Sequence, residues 1–471
     1  MTEATRYPAY RDSGLPWAPR VPEGWQTLRN GRLFTHRVQT GFPDLPILEV
    51  SLRTGVRVRD MENLKRKQVM REKEKYKRAA KGDIAYNMMR MWQGALGTAP
   101  VDGLVSPAYV VASPFPEANS EYYSYLFRTA AYMREVNKFS RGIVADRNRL
   151  YWDEFKQMPA LLPSRPEQDQ IVAYLRAHDA HIARFVKTKR ELIGVLNEQR
   201  QLLICDYLTR GFERFAPLKD SGTPWLGAVP SDWNVCRLKG QLVLNEGGCW
   251  GNDPIGSSGT PVIRSTEQAV DGTWRIQQPA LRQLSETERK AKTLKEGDLV
   301  ITKSSGSEQH IGKTSLVDRQ IESLSCCFSN FMQRLRPKPT VTSAWIWYFL
   351  NCRLGRDQMA FGSNSTTGLG NLSRQIIGDI WFALPPRDDQ ERIIERVEAL
   401  LAPLDTAIDQ QRNHIALIRE YRDRQIADVV TGQVDVRSWV PSADDEVDDD
   451  ALTTLDNDEP NTDGELVDGD D

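Results

Sequence analysis

The side chains best suited to chemistry in this sequence are hydrogen-bonding ones, gathered in short polar loops. Residues 87–94, NMMRMWQG, offer Asn87, Arg90, Trp92 and Gln93. Residues 302–313, TKSSGSEQHIGK, offer Lys303, Ser304, Ser305, Gln309 and Lys313 on a turn-rich stretch. Two more flexible polar loops, SRGIVADRNR (140–149) and GSNSTTGLGNLSR (362–374), add Arg141, Arg147, Asn364 and Arg374. Amides, hydroxyls and guanidinium groups are what bond the edges of nucleic-acid bases, while Lys and Arg also neutralise phosphates. Taken singly, each of these residues is more often structural or a phosphate contact than a base reader, and Trp92 suits a core position equally well.

Catalytic constellations do not emerge. Gly306 and Gly312-Lys313-Thr314 imitate a nucleotide loop, but five residues separate the glycines where that loop needs four. The following SLV reads as a strand, where the loop requires a helix. GLGN at 368–371 is not the dinucleotide-binding pattern, and Pro385-Pro386 reads LPPRDD, not the motif of amino methyltransferases. His178 and His181 are spaced HxxH without a third ligand, and His178 falls on a helical seam. The six cysteines have no CxxC spacing and read as reduced thiols of a cytosolic protein. The expectation is a chain with no catalytic residue, no metal and no cofactor of its own.

Charge points to a polyanion partner. The net charge is −2, yet residues 441–471 hold 14 acids and no Lys or Arg, which leaves +12 on residues 1–440. Residues 53–81 carry 12 Lys/Arg against four acids, and Arg282, Arg289, Lys290, Lys292 and Lys295 form a second basic run. A solvated helix face is the plainer reading of any one such run; two at matching places favour phosphate contact. The acidic tail has the composition of a disordered, solubilising segment, and alternatively of a weak phosphate mimic. No stretch reaches the roughly 18 apolar residues of a membrane helix, and the polar N-terminus is no signal peptide.

These loops must be positioned by something, and an internal repeat supplies it. Residues 12–25, DSGLPWAPRVPEGW, match 220–233, DSGTPWLGAVPSDW, at eight of fourteen positions. LLPSRPEQDQI (161–171) matches ALPPRDDQERI (383–393) at a shift of 222, and the helices that follow keep that shift as far as Thr209 and Thr431. Gly82-Asp83 matches Gly297-Asp298, each opening a strand-like run, IAYN or LVIT. The repeat is circular: the continuation missing after the last helix sits at 6–14, so the N-terminal segment should pack beside the end of that helix.

Both long helical stretches carry a 4-3 alternation of apolar residues that fits a heptad seam. Its members are Ile171, Leu175, Ile182, Phe185, Leu192, Leu196 and Leu203, then Ile393, Val397, Leu400, Leu404 and Ile418. Ile394, Leu401, Ile408, Ile415 and Ile426 widen the second stripe, and Pro403 should kink it. Neither helix can bury its stripe alone, and pseudo-symmetry makes the pair antiparallel. The expected fold is α+β: two α/β target-recognition domains separated by two long antiparallel coiled-coil helices, as a pseudo-two-fold repeat. Its parts are an N-terminal segment 1–27, a first domain 28–163, a central helix 164–211, a second domain 212–385 in which 212–233 repeats the N-terminal segment, a C-terminal helix 386–437 and a disordered tail 438–471.

The duplicated DSGxPW…VPxxW segments, the GD-plus-strand runs and the LPxRxxQ helix openings together resemble the specificity subunits of type I restriction-modification systems. The resemblance covers nearly all of 5–437; the acidic tail and Pro19 depart from the pattern. It implies a non-catalytic, cytoplasmic subunit that addresses double-stranded DNA for two methyltransferase subunits and two motor-endonuclease subunits. Those partners use S-adenosylmethionine, ATP and Mg. Two unlike readers at a fixed separation require, on geometry alone, a bipartite site with unlike halves. A stand-alone bipartite DNA-binding regulator is the alternative.

Overall fold

Backbone hydrogen bonding follows the repeat. The computed structural model describes residues 6–52, 54–59, 72–142, 148–212, 216–254, 256, 259–305, 310–363, 371–442 and 445. Each DSGxPW…VPxxW copy closes an antiparallel hairpin, Tyr10–Asp12 with Arg20–Pro22 and Leu218–Asp220 with Ala228–Pro230. The aspartate makes the DSG turn by accepting the amide of Gly14 at 2.8 Å or of Gly222 at 3.0 Å. Those glycines hold φ of +72° and +70°, a backbone that a Cβ would strain. The next strand, Gln26–Arg29 or Asn234–Arg237, pairs with the strand that closes its domain, Pro159–Leu162 or Trp381–Leu384. Each variable domain is thus stitched shut at its base.

The chain divides into two compact units, one of Met1–Glu191 with Gln411–Asp471, the other Leu192–Gln410. Each holds a four-stranded antiparallel sheet of the same order. In the first unit the strands run Phe34–Arg37, Tyr109–Pro114, Ile84–Asn87, Leu96–Thr98. In the second they run Leu242–Gly247, Met332–Pro337, Leu299–Thr302, Thr314–Leu316. The strands IAYN and LVIT are apolar on both faces and wholly buried, so each sheet needs cover on two sides. Alternation divides the work. Ile84, Tyr86, Val110 and Ala112 face an aromatic layer of Tyr122, Tyr123, Phe127 and Phe155 from short helices, while Ala85 and Val111 face Leu48 and Val56 of a hairpin. In the second unit Leu299, Ile301 and Leu335 face Trp345, Phe349 and Ile377, while Val300 and Met332 face Ile263, Val317 and Phe328.

The long helices are Arg165–Arg210 and Arg387–Val430. Within the first unit Asp179 takes Arg422 at 2.7 Å and Lys189 donates to Gln411 at 2.8 Å; numbers rising against numbers falling define an antiparallel pair. Within the second unit Arg200 meets Asp405 at 2.9 Å, and Ile204 and Leu208 share a core with Ile393, Val397 and Leu401. The seam corrects the heptad reading. Phe185 and Leu192 are 61% and 42% exposed, and their neighbours turn inward: Val186 is fully buried. Leu401, Ile408, Ile415 and Ile426 are buried, while Leu400, Leu404, Ile418, Leu196 and Leu203 are only half-buried. A straight helix of about 3.6 residues per turn outruns a 3.5 template by a residue within five or so heptads. Pro403 sits on the exposed side of a helix that continues unbroken through it.

Both helices end on a left-handed glycine, Gly211 at φ +66° and Gly432 at φ +74°. A Cβ on Gly211 would lie 2.8 Å from the Trp233 ring, and one on Gly432 would lie 2.3 Å from Pro22 and 3.2 Å from Trp25. Gln433 donates to the Arg20 carbonyl at 2.8 Å, and Tyr122 to the Val430 carbonyl at 2.9 Å. The N-terminal segment therefore packs on the end of the last helix, as the circular repeat requires. Beyond it, Trp439 meets Tyr174 edge-on at 5.6 Å, and Asp445 meets His181 at 2.7 Å. The remainder of the acidic tail, 446–471, lies outside the described residues, as does the expectation of disorder there. Among the described residues no helix is long and apolar enough to cross a membrane.

Candidate nucleic-acid interface

One motif repeated in each unit fixes the strand from which a polar loop emerges. Asp83 is buried and takes Arg37, from the edge strand one removed across the sheet, by both oxygens, at 2.6 and 3.3 Å, while accepting the Ala80 amide at 2.9 Å. Asp298, fully buried, takes Arg336 at 2.6 and 2.8 Å and the Lys295 amide at 2.9 Å. The glycine before each aspartate holds φ of +90° or +86°. This is the physical content of the GD repeat: a bidentate clasp that locks the start of the central strand.

The LPxRxxQ repeat is a second clasp. Gln168 and Gln390 are fully buried at the start of the long helices. Gln168 donates to the carbonyls of Glu117 and Pro163 at 3.0 and 2.9 Å and accepts the Asn119 amide at 2.8 Å. Gln390 donates to Thr340 and Pro385 at 3.2 and 3.0 Å and accepts the Thr342 amide at 2.8 Å. Asn119 in turn caps the helix Ser120–Phe127 and Thr342 the helix Ser343–Asn351, so the glutamine ties long helix to sheet cover.

Beyond the far end of the central strand, the candidate loops come together. In the second unit the Leu372 amide donates to the Lys303 carbonyl at 2.8 Å, and Ser304 donates to the Asn371 side chain at 2.8 Å. The Lys303 amide also donates to the Phe331 carbonyl at 3.0 Å. Asn245 donates to the Arg374 carbonyl at 3.1 Å and receives Gln333 at 2.6 Å. Thus residues 303–304 and 371–374, far apart in sequence, form one polar rim with exposed Arg374. The first unit repeats the arrangement: the Leu150 amide donates to the Met88 carbonyl at 2.9 Å, and Arg141 and Arg149 bridge through two bonds of 2.9 Å. Exposed Gln93, Arg141 and Arg149 lie on that rim, with Arg141 also paired to Glu154.

Comparison with known proteins bears on what such a rim is for. Residues 230–416 match the family model described as "Type I restriction modification DNA specificity domain". That match takes in less than half of the chain, and over this stretch the chain is similar to the type I restriction-modification specificity family. It is 26% identical over 150 residues to the EcoKI specificity subunit of Escherichia coli K12, a stretch covering 32% of each chain. It is 24% identical over 135 residues to the StySPI specificity subunit of Salmonella potsdam, 29% of this chain and 28% of that one. The matched stretches thus span about a third of the curated relatives. A solved chain from a study of assembly and conformational transition in a type I restriction-modification system shares the fold, at a TM-score of 0.55 and 16% identity over 87% of this chain and 98% of that one.

The candidate residues separate by orientation. Lys303, Ser304, Ser305, Gln93, Arg90, Arg141 and Arg374 are half-buried or exposed on the rims. Two are corrected. Lys313 is 3% exposed and gives its ammonium to the carbonyls of Ser265 and Gln268 at 2.7 and 2.8 Å. Burial, with the Arg356 guanidinium nearby, holds that ammonium down to about 8. Asn87 is buried, its side chain accepting the Met89 amide at 2.9 Å. Both serve the fold, because each polar head finds backbone partners inside before it can reach a base. Trp92 packs against the core and donates to the Met89 carbonyl at 3.0 Å, so it shapes its loop. Arg147, Gln309 and Asn364 lie outside the described residues.

The basic runs are knitted into the surface more than the sequence suggested. Arg78 pairs with Asp102 at 2.6 Å, Lys77 donates to the Tyr109 carbonyl at 2.7 Å, and Arg57 pairs with Glu49. Arg289 and Lys290 share Glu286 at 2.8 and 3.2 Å, Lys292 meets Glu246 at 2.8 Å, and Arg282 meets Asp253. Residues 60–71 of the first run lie outside the described residues. Phe331, on the second rim, is a residue that sequence reasoning passed over; a single exposed Phe leaves no periodic signal.

Of the two HxxH histidines, His178 lies between Tyr174 and Tyr421, at 6.0 and 5.8 Å. His181 bridges Asp445 at 2.7 Å and Arg184 at 2.8 Å. Thr314–Leu316 is a strand, as the failed nucleotide loop required.

Proposed function

We propose that this chain is the sequence-specific DNA-recognition subunit of a type I restriction-modification complex. Each unit reads one half of a bipartite, asymmetric target, and the helix pair sets the unread gap between them. One observation carries the reading: two unlike polar rims are mounted on the same sheet topology by the same two clasps. Common topology with dissimilar loops is what two readers of different sequences need, since phosphate contacts position a reader and base contacts give it specificity.

The chain itself is non-catalytic and holds no cofactor in this reading. Adenine methylation by two modification subunits using S-adenosylmethionine, and restriction by two motor-endonuclease subunits using ATP and Mg, belong to its partners. Support for paired partner sites comes from the helices. Val195, 60% exposed, and Leu417, 61% exposed, occupy equivalent positions of the two copies. Leu192 and Leu202 extend the first stripe at 42% and 68%, and Tyr421 the second at 44%. Apolar stripes repeated on the outer faces of both helices suit helical partners.

The test is methylation sequencing of DNA from cells carrying this chain with its modification subunit. The expected result is a single asymmetric motif of two short half-sites with a fixed gap. Replacing residues 234–382 with the same region of another family member should change one half-site alone. Methylation unchanged after that exchange, or none at all with both subunits present, contradicts the proposal.

A further inference from the structure

We propose that Phe331 is an apolar base reader of the second unit, presenting its ring to the 5-methyl group of a thymine in that unit's half-site; this rests on the DNA-reading function proposed above. Its backbone is pinned. The Phe331 amide donates to Ser329 Oγ at 3.2 Å, and its carbonyl accepts the amides of Lys303 and Ser304 at 3.0 and 3.3 Å. Ser329 itself donates to the Ile263 carbonyl at 2.9 Å and accepts the Met332 amide at 3.0 Å. The neighbours Phe328 and Met332 are fully buried, yet the Phe331 ring is 55% exposed. A turn this well bonded holds the ring outward as part of the fold.

The surroundings say what it can meet. The ring stands on the rim with Lys303, with Ser304 bonded to Asn371, and with exposed Arg374. All of these can bond a base edge or a phosphate. Phe331 can do neither and gains free energy only by removing apolar surface from water. On the edges that base pairs show in the major groove, the apolar group is the thymine methyl. The first unit supplies a control: the residue just before its equivalent strand, Tyr109–Pro114, is Ala108.

The experiment uses the full chain with its modification subunits and a duplex bearing the target found by methylation sequencing. Each thymine of both half-sites is replaced in turn by uracil, which removes only the methyl. Wild type should lose about four-fold in affinity at one thymine of the second half-site, the ~0.8 kcal/mol of one buried methyl. Phe331→Ala should show a similar loss on the thymine duplex and no further loss with uracil. Phe331→Leu should recover most of the discrimination, and thermal melting should confirm that both variants fold. Uracil in the first half-site should affect wild type and Phe331→Ala alike. Two results overturn the proposal while leaving DNA reading intact: wild type indifferent to every uracil of the second half-site, or Phe331→Ala retaining full discrimination. A ring that instead wedges between base pairs would raise 2-aminopurine fluorescence without uracil coupling, which also overturns it. Absence of any sequence-specific binding by wild type would fail the underlying function and this inference together.

Discussion

At the scale of residues, the strongest constraints are buried polar groups that appear twice. Removing the carboxylate of Asp298 takes from Arg336 its bidentate partner; removing that of Asp83 does the same to Arg37. Breaking one partner out of a buried pair costs about 3–5 kcal/mol. Asp298→Ala and Asp83→Ala should each lower the unfolding free energy of the unit that bears them by about 3 kcal/mol, read from denaturant melts, and a change under about 1 kcal/mol would contradict the clasp reading. Lys313 gives a pH signature. Its ordinary value is 10.5 and its folded value about 8. Between these the unfolded chain holds a proton that the folded chain has released, so this group's contribution to stability rises with pH across that window. Wild type should therefore gain stability relative to Lys313→Met from pH 8 to 10.5, in denaturant melts at each pH; a constant or shrinking gap refutes it. These cases also mark what residue types could and could not tell. Asn87 and Lys313 have base-reading chemistry, but which way each faces depends on partners the sequence does not display: the amide of Met89 for the asparagine, and the carbonyls of Ser265 and Gln268, from a distant segment, for the lysine. Gln168 and Gln390 were visible as a repeated letter, and only the fold reveals the three bonds each makes.

At the scale of elements, the repeat made strands, helix openings and helix ends legible, because two copies under the same packing constraint preserve the same turns and clasps. The seam of the helices was legible to within one residue. That last residue matters, since Phe185 and Val186 exchange roles: one is 61% exposed and the other fully buried. Val186→Glu places a carboxylate in the seam and should cost several kcal/mol, whereas Phe185→Glu should stay within about 0.5 kcal/mol. Equal effects of the two on helix content and melting temperature would restore the heptad reading.

At the scale of the whole molecule, the circular repeat has a direct test. Tyr7 and Val436 share one core. A permuted chain that joins residue 437 to residue 6 and opens between 212 and 216 breaks none of the clasps described above. It should unfold cooperatively within a few degrees of wild type, by circular dichroism; a molten or aggregated product would show that the N-terminal segment and the last helix depend on something other than their mutual packing.

The first unit draws on both extremes of the polypeptide, Met1–Glu191 and Gln411–Asp471, whereas the second is one continuous stretch. On the ribosome, then, the second-born module has all its parts first, and the first-born waits with an open flank until the final helix emerges. A stop codon just past Gln410 would spare the later module and cripple the earlier one, reversing the usual expectation that a late truncation harms only what was made last.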